Sequence, residues 1–256
     1  MTIQDFTPAK ILQPFVKTYR IIESQEGLTN RVVPNTSLAI ALRIKGQNSY
    51  STASGVSDLP DITLSGLRKS VRLINYSKNA STLIVLFKEC GASYFFKEPL
   101  HELFEDSIPL DSIISPAEVT LIEELLEAAQ NNSQRVAVID QFLLEKLTCF
   151  NPDKLVSEAL AKIHVAKGFI KIRELADSLC ISNDAFEKRF RKIVGSSPKQ
   201  FAAIVRLSSI IRQEAKGRLL DIAFDAGYYD QAHFTKDFKL FTGQTPTDFY
   251  KAPRFW

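Results

Sequence analysis

Short apolar runs dominate residues 37–88. Five of them, SLAIALRIKG, SYSTASGV, DITLSG, VRLINYS and STLIVLFK, are rich in β-branched or alternating apolar residues. Gly, Pro, Asn and Ser interrupt these runs about every ten residues. This rhythm is typical of an antiparallel barrel or sandwich. The pattern therefore predicts a mainly antiparallel β domain in the N-terminal part of the chain.

The hydrophobic period changes after Lys88, where 118–130 and 136–147 show helical spacing. The apolar stripe of the second helix is wider than a lone exposed helix should carry. Such a stripe predicts a dimerisation surface, and packing against the β domain is the alternative. The stripe consists of Val136, Ile139, Leu143, Leu144 and Leu147.

The C-terminal part of the chain contains a repeat. Residues 221–250 align with residues 173–201 at an offset of 47 that becomes 48 after one added turn residue. A solenoid needs about three copies, so two copies indicate a pair of similar small units. The matched pairs include Ala176 and Ala223, Cys180 and Gly227, Phe186 and Phe234, Phe190 and Phe238, Gly195 and Gly243, and Phe201 and Phe249.

Each unit has the outline of a helix-turn-helix: a short helix, a tight turn and a longer helix. Ser182 and Asp230 are predicted to cap the two longer helices, and Asp153 is predicted to cap an earlier helix that ends at Gly168. In the second unit, Gly227 is predicted to end the short helix. The apolar positions of that short helix are Leu219, Ile222, Ala223 and Ala226.

The longer helices leave long polar side chains on the face opposite their buried stripes. Such side chains can reach base edges and phosphates from the major groove. A solvated helix face is the alternative for either helix taken singly, whereas two such faces in a duplicated unit favour DNA binding. The candidate DNA-binding residues are Asp184, Glu187, Lys188 and Arg191 in the first unit, and Gln231, Thr235, Lys236 and Lys239 in the second.

Three motifs identify the resemblance of this region: ELADSLCISNDAFEKRFRKIVGSSPKQF, the RL pair at 206–207, and DIAFDAGYYDQAHFTKDFKLFTGQTPTDFY. Residues 155–250 resemble the DNA-binding domain of the AraC/XylS family of bacterial transcription regulators. Tyr228 stands where the family has Phe, and Lys236 stands where it has Arg. Because lysine lacks the planar fork of arginine, the second change weakens the expectation of base reading at that position.

The order of strands, two helices and paired units also resembles full-length AraC-type regulators. That resemblance implies a cupin-like barrel and dimerising helices in residues 1–150, and a DNA-binding domain in residues 151–256. The stretch from 83 to 113 is similar to a sensor-like region of AraC-type proteins of Bacteroidetes. The fold class expected is two-domain α+β, with an all-α C-terminal domain whose two units are joined by a long helix across 197–217.

Charge is unevenly divided between the two parts. Residues 1–150 hold 14 Lys/Arg against 17 Asp/Glu, a net of −3, whereas residues 151–256 hold 18 against 12, a net of +6. Basic charge at the C-terminal end suits a polyanion such as DNA, because neutralising phosphates releases counterions. When charge is the only observation considered, a basic soluble domain that does not bind DNA is the alternative.

The predicted barrel could hold a small effector among its inward side chains, and a filled core is the alternative. Charged strand residues, Arg31, Arg43, Lys45, Arg68 and Arg72, could bind an anionic effector or lie singly at the surface. The candidate effector-binding residues are Leu38, Ile40, Leu42, Leu83, Val85 and Phe87.

Enzymatic chemistry finds little support in the sequence. The three histidines, His101, His164 and His233, fall in different elements, so no metal site, cofactor or catalytic residue is predicted. Three scattered cysteines indicate reduced thiols. No run reaches the ~20 apolar residues of a membrane span, and no signal peptide is evident, so a cytoplasmic protein is expected.

These patterns together predict a transcription regulator that binds double-stranded DNA, forms a homodimer and responds to a small effector. RNA polymerase is a further candidate partner. The alternatives are a regulator controlled by abundance or by a protein partner and, more remotely, a cupin-type enzyme with a DNA-binding tether.

Overall fold

The computed structural model describes residues 1–52, 55–148, 152–212, 224 and 227–251. Its N-terminal part is one antiparallel sheet with the strand order β1-β2-β7-β3-β6-β8, and β4 pairs with both β5 and β7. The described strands thus follow an open path from β1 to β8 with a side branch. The strands are β1 (Thr2–Phe6), β2 (Val16–Val32), β3 (Ala39–Lys45), β4 (Asn48–Thr52), β5 (Gly55–Asp58), β6 (Ile62–Ser65), β7 (Arg72–Phe87) and β8 (Ser107–Pro109).

The two longest strands, β2 and β7, pair with each other inside this sheet. Their register places Tyr19 opposite Val85 and Ile21 opposite Leu83, so alternate apolar residues of both strands reach the same buried face. Strand β7 joins two runs that the sequence separates, 71–77 and 81–88. The prediction of an antiparallel N-terminal domain is confirmed, although β2 lies outside the predicted runs.

Two helices follow the sheet: α1 (Pro116–Ala128) and α2 (Asn132–Lys146). Ser115 and Glu118 form a capping box that begins α1. The Tyr19 hydroxyl donates to Asp140 Oδ1 at 2.6 Å and fastens α2 to the sheet. Burial and the nearby Asp140 carboxylate raise the pKa of that hydroxyl.

The predicted dimerisation stripe lies largely inside the chain. Val136, Ile139 and Leu143 are buried in the core, while Leu144 and Leu147 are half-buried against it. Leu143 is fully buried, with 0% exposure, so it offers no surface to a second chain. This burial favours the alternative that the sequence left open, in which the stripe packs on the sheet.

The remaining elements are helical. The predicted caps are confirmed, because Asp153 accepts from the Val156 amide and Ser182 accepts from the Ala185 amide. The predicted domain boundary at residues 150–151 lies outside the described residues. The helices are α3 (Lys154–Val165), α4 (Ile172–Ser178), α5 (Asn183–Val194), α6 (Pro198–Arg212), α7 (Gln231–Thr242) and α8 (Pro246–Lys251).

Buried side chains of the sheet and of the C-terminal helices form one continuous cluster. An ion pair also joins the two parts, because His164 Nε2 in α3 lies 2.9 and 3.0 Å from the carboxylate oxygens of Glu89. The hydrogen bond to Glu89 raises the pKa of His164 above its ordinary value. Within the described ranges, no helix is long and apolar enough to cross a membrane.

The pair of His164 and Glu89 predicts a pH-dependent contribution to stability. Because the folded-state pKa of His164 is raised, the contribution is fully present below the unfolded value of about 6.5 and is lost as pH rises through the folded value. The gap in melting temperature between the wild type and Glu89→Gln should therefore be widest at pH 5.5–6 and narrow toward pH 8.5. Glu158→Gln, which removes the partner of Lys162 on the same helix, is the control and should show no such narrowing. A gap independent of pH would contradict the assignment.

Candidate DNA-binding surface

The first unit consists of α4, a tight turn and α5. Helix α4 buries Leu175 and Ala176, and α5 buries Phe186 and Phe190 at helical spacing. Cys180 occupies the turn in a left-handed conformation, with φ 54°. The unit therefore has the short helix, turn and longer helix that define a helix-turn-helix.

The second unit is described from Gly227 onward, together with Phe224. The predicted short-helix residues Leu219, Ile222, Ala223 and Ala226 lie outside the described residues, as does the predicted connector beyond Arg212. Asp230 caps α7 by accepting from the His233 amide at 2.7 Å. Helix α7 buries Phe234, Phe238 and Phe241, the stripe expected from the sequence.

The backbone repeats where the sequence does. Cys180 and Gly227 both have positive φ values, 54° and 65°, at equivalent places in the two turns. Gly195 and Gly243 end α5 and α7 with φ values of 85° and 79°. A left-handed residue after the last turn is a common helix terminator, and glycine adopts it at least cost. The longer helices of the two units, α5 and α7, which are called the recognition helices below, therefore end in the same way.

The structure places the candidate DNA-binding residues on the outer surfaces of α5 and α7. Glu187 Oε1 accepts from Arg191 Nε and Nη2 at 2.9 and 2.6 Å, so the Arg191 fork is held along its own helix. The other candidates are open to solvent to different degrees. Asp184, Lys188, Gln231, Lys236 and Lys239 are exposed, whereas Glu187, Arg191 and Thr235 are half-exposed.

A polar network that the sequence analysis did not predict links the connector helix α6 to α7. The Arg206 guanidinium lies over the Tyr228 ring, with its central carbon 4.5 Å from the ring centroid. The Tyr228 hydroxyl accepts from Arg206 at 3.3 Å and donates to Asp237 at 3.2 Å. Burial raises the pKa of Tyr228 to about 12. The Tyr that replaces the family's Phe thus supplies the hydroxyl of this link.

A second link joins the first recognition helix to α3. Arg189 Nε donates to Asp153 Oδ2 at 2.6 Å, while Asp153 Oδ1 caps α3. One carboxylate therefore begins α3 and holds α5. The sequence indicates the cap through its position before a helical period, but it gives no signal for the contact with a residue 36 positions away.

The N-terminal domain touches the C-terminal ends of both recognition helices. A Cβ built on Gly195 would lie 3.3 Å from the Leu100 carbonyl oxygen, and one built on Gly243 would lie 3.2 Å from Val71 Cγ1. In addition, the Val71 amide donates to the Leu240 carbonyl at 3.0 Å. These contacts leave the first turns of α5 and α7, where Asp184 and Gln231 lie, exposed.

The candidate effector-binding residues lie in the core of the sheet. All six are buried. Leu38 also lies near the end of α5, since a Cβ added to Gly195 would be 3.4 Å from Leu38 Cδ1. None of the six lines the cavity of about 550 Å³ beneath α3, whose walls include Phe15, Lys88 and Tyr94. None of them lines the cavity of about 520 Å³ between α1 and the sheet. Their burial favours the alternative of a filled core.

Among the described residues, histidine, cysteine and carboxylate side chains do not form a metal-binding group. In the described part of the chain, no group of three such side chains could hold a metal ion. His101, His164 and His233 lie in a 3-10 turn (Leu100–Leu103), in α3 and in α7.

One complete helix-turn-helix unit is followed, in the described residues, by a second turn and longer helix of the same geometry, and both longer helices face solvent. This arrangement defines the class of a DNA-binding domain. A family model described as "Helix-turn-helix domain" matches residues 175–252. A second, described as "Domain of unknown function (DUF6597)", matches residues 4–109.

Two relatives that are named as transcription regulators support the same class. An uncharacterized HTH-type transcriptional regulator of Haemophilus influenzae is 31% identical over 137 residues, which cover 52% of this chain and 43% of the relative. A putative AraC-like transcription regulator of Streptomyces lividans is 30% identical over 105 residues, which cover 40% of this chain and 34% of the relative. The chain thus spans less than half the length of either relative.

Among solved structures, ToxT from Vibrio cholerae aligns with a TM-score of 0.43 and 13% identity, covering 91% of this chain and 96% of that one. The motifs, the family match and the named relatives agree on the C-terminal region. The C-terminal region carries a helix-turn-helix domain of the AraC type, as the resemblance of residues 155–250 predicts.

Proposed function

We propose that the protein is a sequence-specific transcription regulator that binds double-stranded DNA through both helix-turn-helix units. The observation that carries this proposal is the repeated geometry of the two recognition helices. Each is capped by a side chain at its first turn, ends at a left-handed glycine and exposes its outer face. A single charged helix face would have an ordinary explanation as solvated surface, whereas two such faces in a duplicated unit favour a partner with two similar binding sites, such as successive major grooves of DNA.

The two units divide the recognition of DNA between them. Lys188 and Arg191 contact the first block of bases, and Asp184 and Glu187 accept from cytosine amino groups or repel wrong placements. In the second block, Gln231, Thr235 and Lys236 contact bases, and Lys239 contacts phosphate. Glu187 engages Nε and Nη2 of Arg191, so Arg191 contacts DNA either through its remaining N–H donors or by releasing Glu187.

The connector helix sets the spacing of the two blocks. The described part of α6 has 15 residues, and at ~1.5 Å per residue it spans roughly 22 Å. Two helices that enter successive major grooves on one face of straight DNA lie ~34 Å apart, so the blocks are expected about 10 bp apart. A shorter separation would bend the DNA at a cost of order 1–6 kcal/mol.

Two variants of α7 test these roles. Operators are first selected from a random DNA pool, and equilibrium binding is then measured with full-length protein at several salt concentrations. Gln231→Ala should relax base preference in the second block alone, by ~1–3 kcal/mol of discrimination. Lys239→Ala should weaken binding to all DNA sequences alike. It should also reduce by about one the salt slope, which is the slope of the logarithm of the binding constant against the logarithm of salt concentration. Lys97→Ala, an exposed lysine of the N-terminal domain, is the control and should change neither quantity.

Retention of second-block preference in Gln231→Ala would refute its role as a base reader. An unchanged salt slope in Lys239→Ala would refute the phosphate contact. Failure of the wild type to select any sequence would refute the proposed function itself.

We further infer a homodimer, formed through α1 instead of the buried stripe of α2. Leu121 and Leu125 lie four residues apart on one face of α1 and are 54% and 45% exposed. Apolar side chains of this size, repeated on one helix face, are suited to a helix of a second copy.

The double variant Leu121→Glu/Leu125→Glu should weaken the dimer by roughly tenfold or more, which sedimentation velocity measures, because each change places a charge in an apolar contact. Ile11→Glu, at another exposed apolar position, should leave the dimer unchanged. By contrast, Leu143→Glu should destabilise the fold by about 3 kcal/mol or more, since it buries a charge in the core. A wild-type monomer at micromolar concentration would contradict the inference.

Control by a small effector in the N-terminal domain completes the proposal, supported by the contact of that domain with the ends of both recognition helices. A ligand that binds only the folded protein raises its melting temperature. A dose-dependent rise with one class of sugar, aromatic acid or nucleotide is therefore expected. No rise with any of them would favour control by abundance or by a protein partner.

A further inference from the structure

Two arginines of the N-terminal domain converge on one hydroxyl group. Arg68 Nη2 and Arg72 Nη1 both donate to Ser107 Oγ, at 2.9 and 2.7 Å. The two guanidinium nitrogens therefore lie no farther apart than the sum of these distances. Like charges at this separation repel each other, and a negative charge close to both would offset that repulsion.

Nearby carboxylates already have other partners. Glu105 accepts hydrogen bonds from the amide of Lys69 and from the amide and hydroxyl of Ser70. Asp106 accepts from the Ser107 amide at 2.7 Å. These acidic groups lower the local potential, but among the described residues neither arginine forms an ion pair with a carboxylate.

The arginine pair is held in a defined orientation. Arg72 stacks on the Tyr50 ring, with its guanidinium carbon 3.9 Å from the ring centroid. Arg68 Nη1 donates to the carbonyl of Glu105, a residue held in a left-handed conformation with φ 69°. A non-glycine residue in this region costs free energy, and such residues cluster at functional sites. Burial and, to a smaller extent, the neighbouring Arg68 lower the pKa of Arg72 to about 10.

Each guanidinium carries five N–H donors, and the described acceptors use a minority of them. Both side chains are half-buried, so each keeps part of its surface open to solvent. The planar fork of arginine matches carboxylate and phosphate oxygens in two-point hydrogen bonds. We propose that Arg68 and Arg72 form a binding site for a small oxyanion, a carboxylate or a phosphate, with Ser107 and Tyr50 fixing the two guanidinium groups.

The position of this pair gives the site a regulatory consequence. Between the two arginines lies Val71, whose amide donates to the Leu240 carbonyl in α7 and whose side chain faces Gly243. An oxyanion that holds both arginines would fix the segment that touches the second recognition helix. This step rests on the function proposed above, whereas oxyanion binding itself does not.

The test is calorimetric titration of the full-length protein with inorganic phosphate and, separately, with succinate, at constant ionic strength. Saturable binding is expected for at least one of the two, and the arm that saturates distinguishes phosphate from carboxylate ligands. Arg72→Gln and Arg68→Gln should each weaken that binding by roughly tenfold or more. Arg43→Gln is the matched control, because Arg43 is a half-buried arginine of the same domain already paired with Asp61, and it should bind like the wild type.

Thermal melts establish whether each variant folds. If Arg72→Gln does not fold, Arg72→Lys keeps the charge but loses the planar fork, and it should still weaken binding severalfold. Absence of saturable binding by the wild type, or equal affinity in the wild type and the folded variants, would overturn the site. DNA binding by the same samples is measured separately, so a protein that binds the oxyanion but no DNA would refute the proposed function and leave the site standing.

Discussion

Contact between the N-terminal domain and the ends of both recognition helices is the constraint on which the arrangement of this protein depends. The contacts fall on Gly195 and Gly243, equivalent residues of the repeat. Both glycines have positive φ and lack a side chain, so another backbone or side chain can approach the helix end closely. Two sets of contacts therefore fix the recognition helices. One set is with α6, and the other is with the N-terminal domain. Because that domain holds their C-terminal ends, the outer faces and first turns stay open to DNA.

The abundance of aromatic residues in the C-terminal domain follows from its small size. Each unit buries few side chains, and phenylalanine removes more apolar surface per residue than any aliphatic side chain. The contacts between aromatic rings repeat with the sequence. The ring centroids of Phe186 and Phe190 are 5.6 Å apart, and those of Phe234 and Phe238 are 5.5 Å apart. The next ring contact repeats as well: the centroids of Phe190 and Phe201 are 5.7 Å apart, and those of Phe238 and Phe249 are 5.2 Å apart. Similar cores hold the two recognition helices against similar partners, so the same outer positions of both helices face solvent.

Local features were predictable from the sequence, and features that depend on distant partners were not. Ser182, Asp153 and Asp230 were recognisable as caps because a cap depends only on the next three residues. Strand β2 does not appear in the sequence pattern because long polar side chains, among them Lys17 and Arg20, interrupt its apolar positions. Its longest pairing, with β7, joins residues that are 40 to 71 positions apart. The α2 stripe was recognised, but burial against the same chain and burial against a second chain require the same pattern. Only the position of the sheet distinguishes these two possibilities.

The oxyanion site illustrates the same limit, since Tyr50, Arg68, Arg72 and Ser107 come from separate elements. Its coupling to DNA binding is also bounded by the structure. An effector shifts an equilibrium only by its difference in affinity for the two states, and the contact that would transmit the shift here is one backbone hydrogen bond with the packing of Val71. A hydrogen bond of this kind contributes about 1 kcal/mol net. Occupancy of the site acting through this contact alone would therefore change DNA affinity by roughly fivefold, so the arginine pair would adjust the affinity of the second unit for DNA without switching binding on or off.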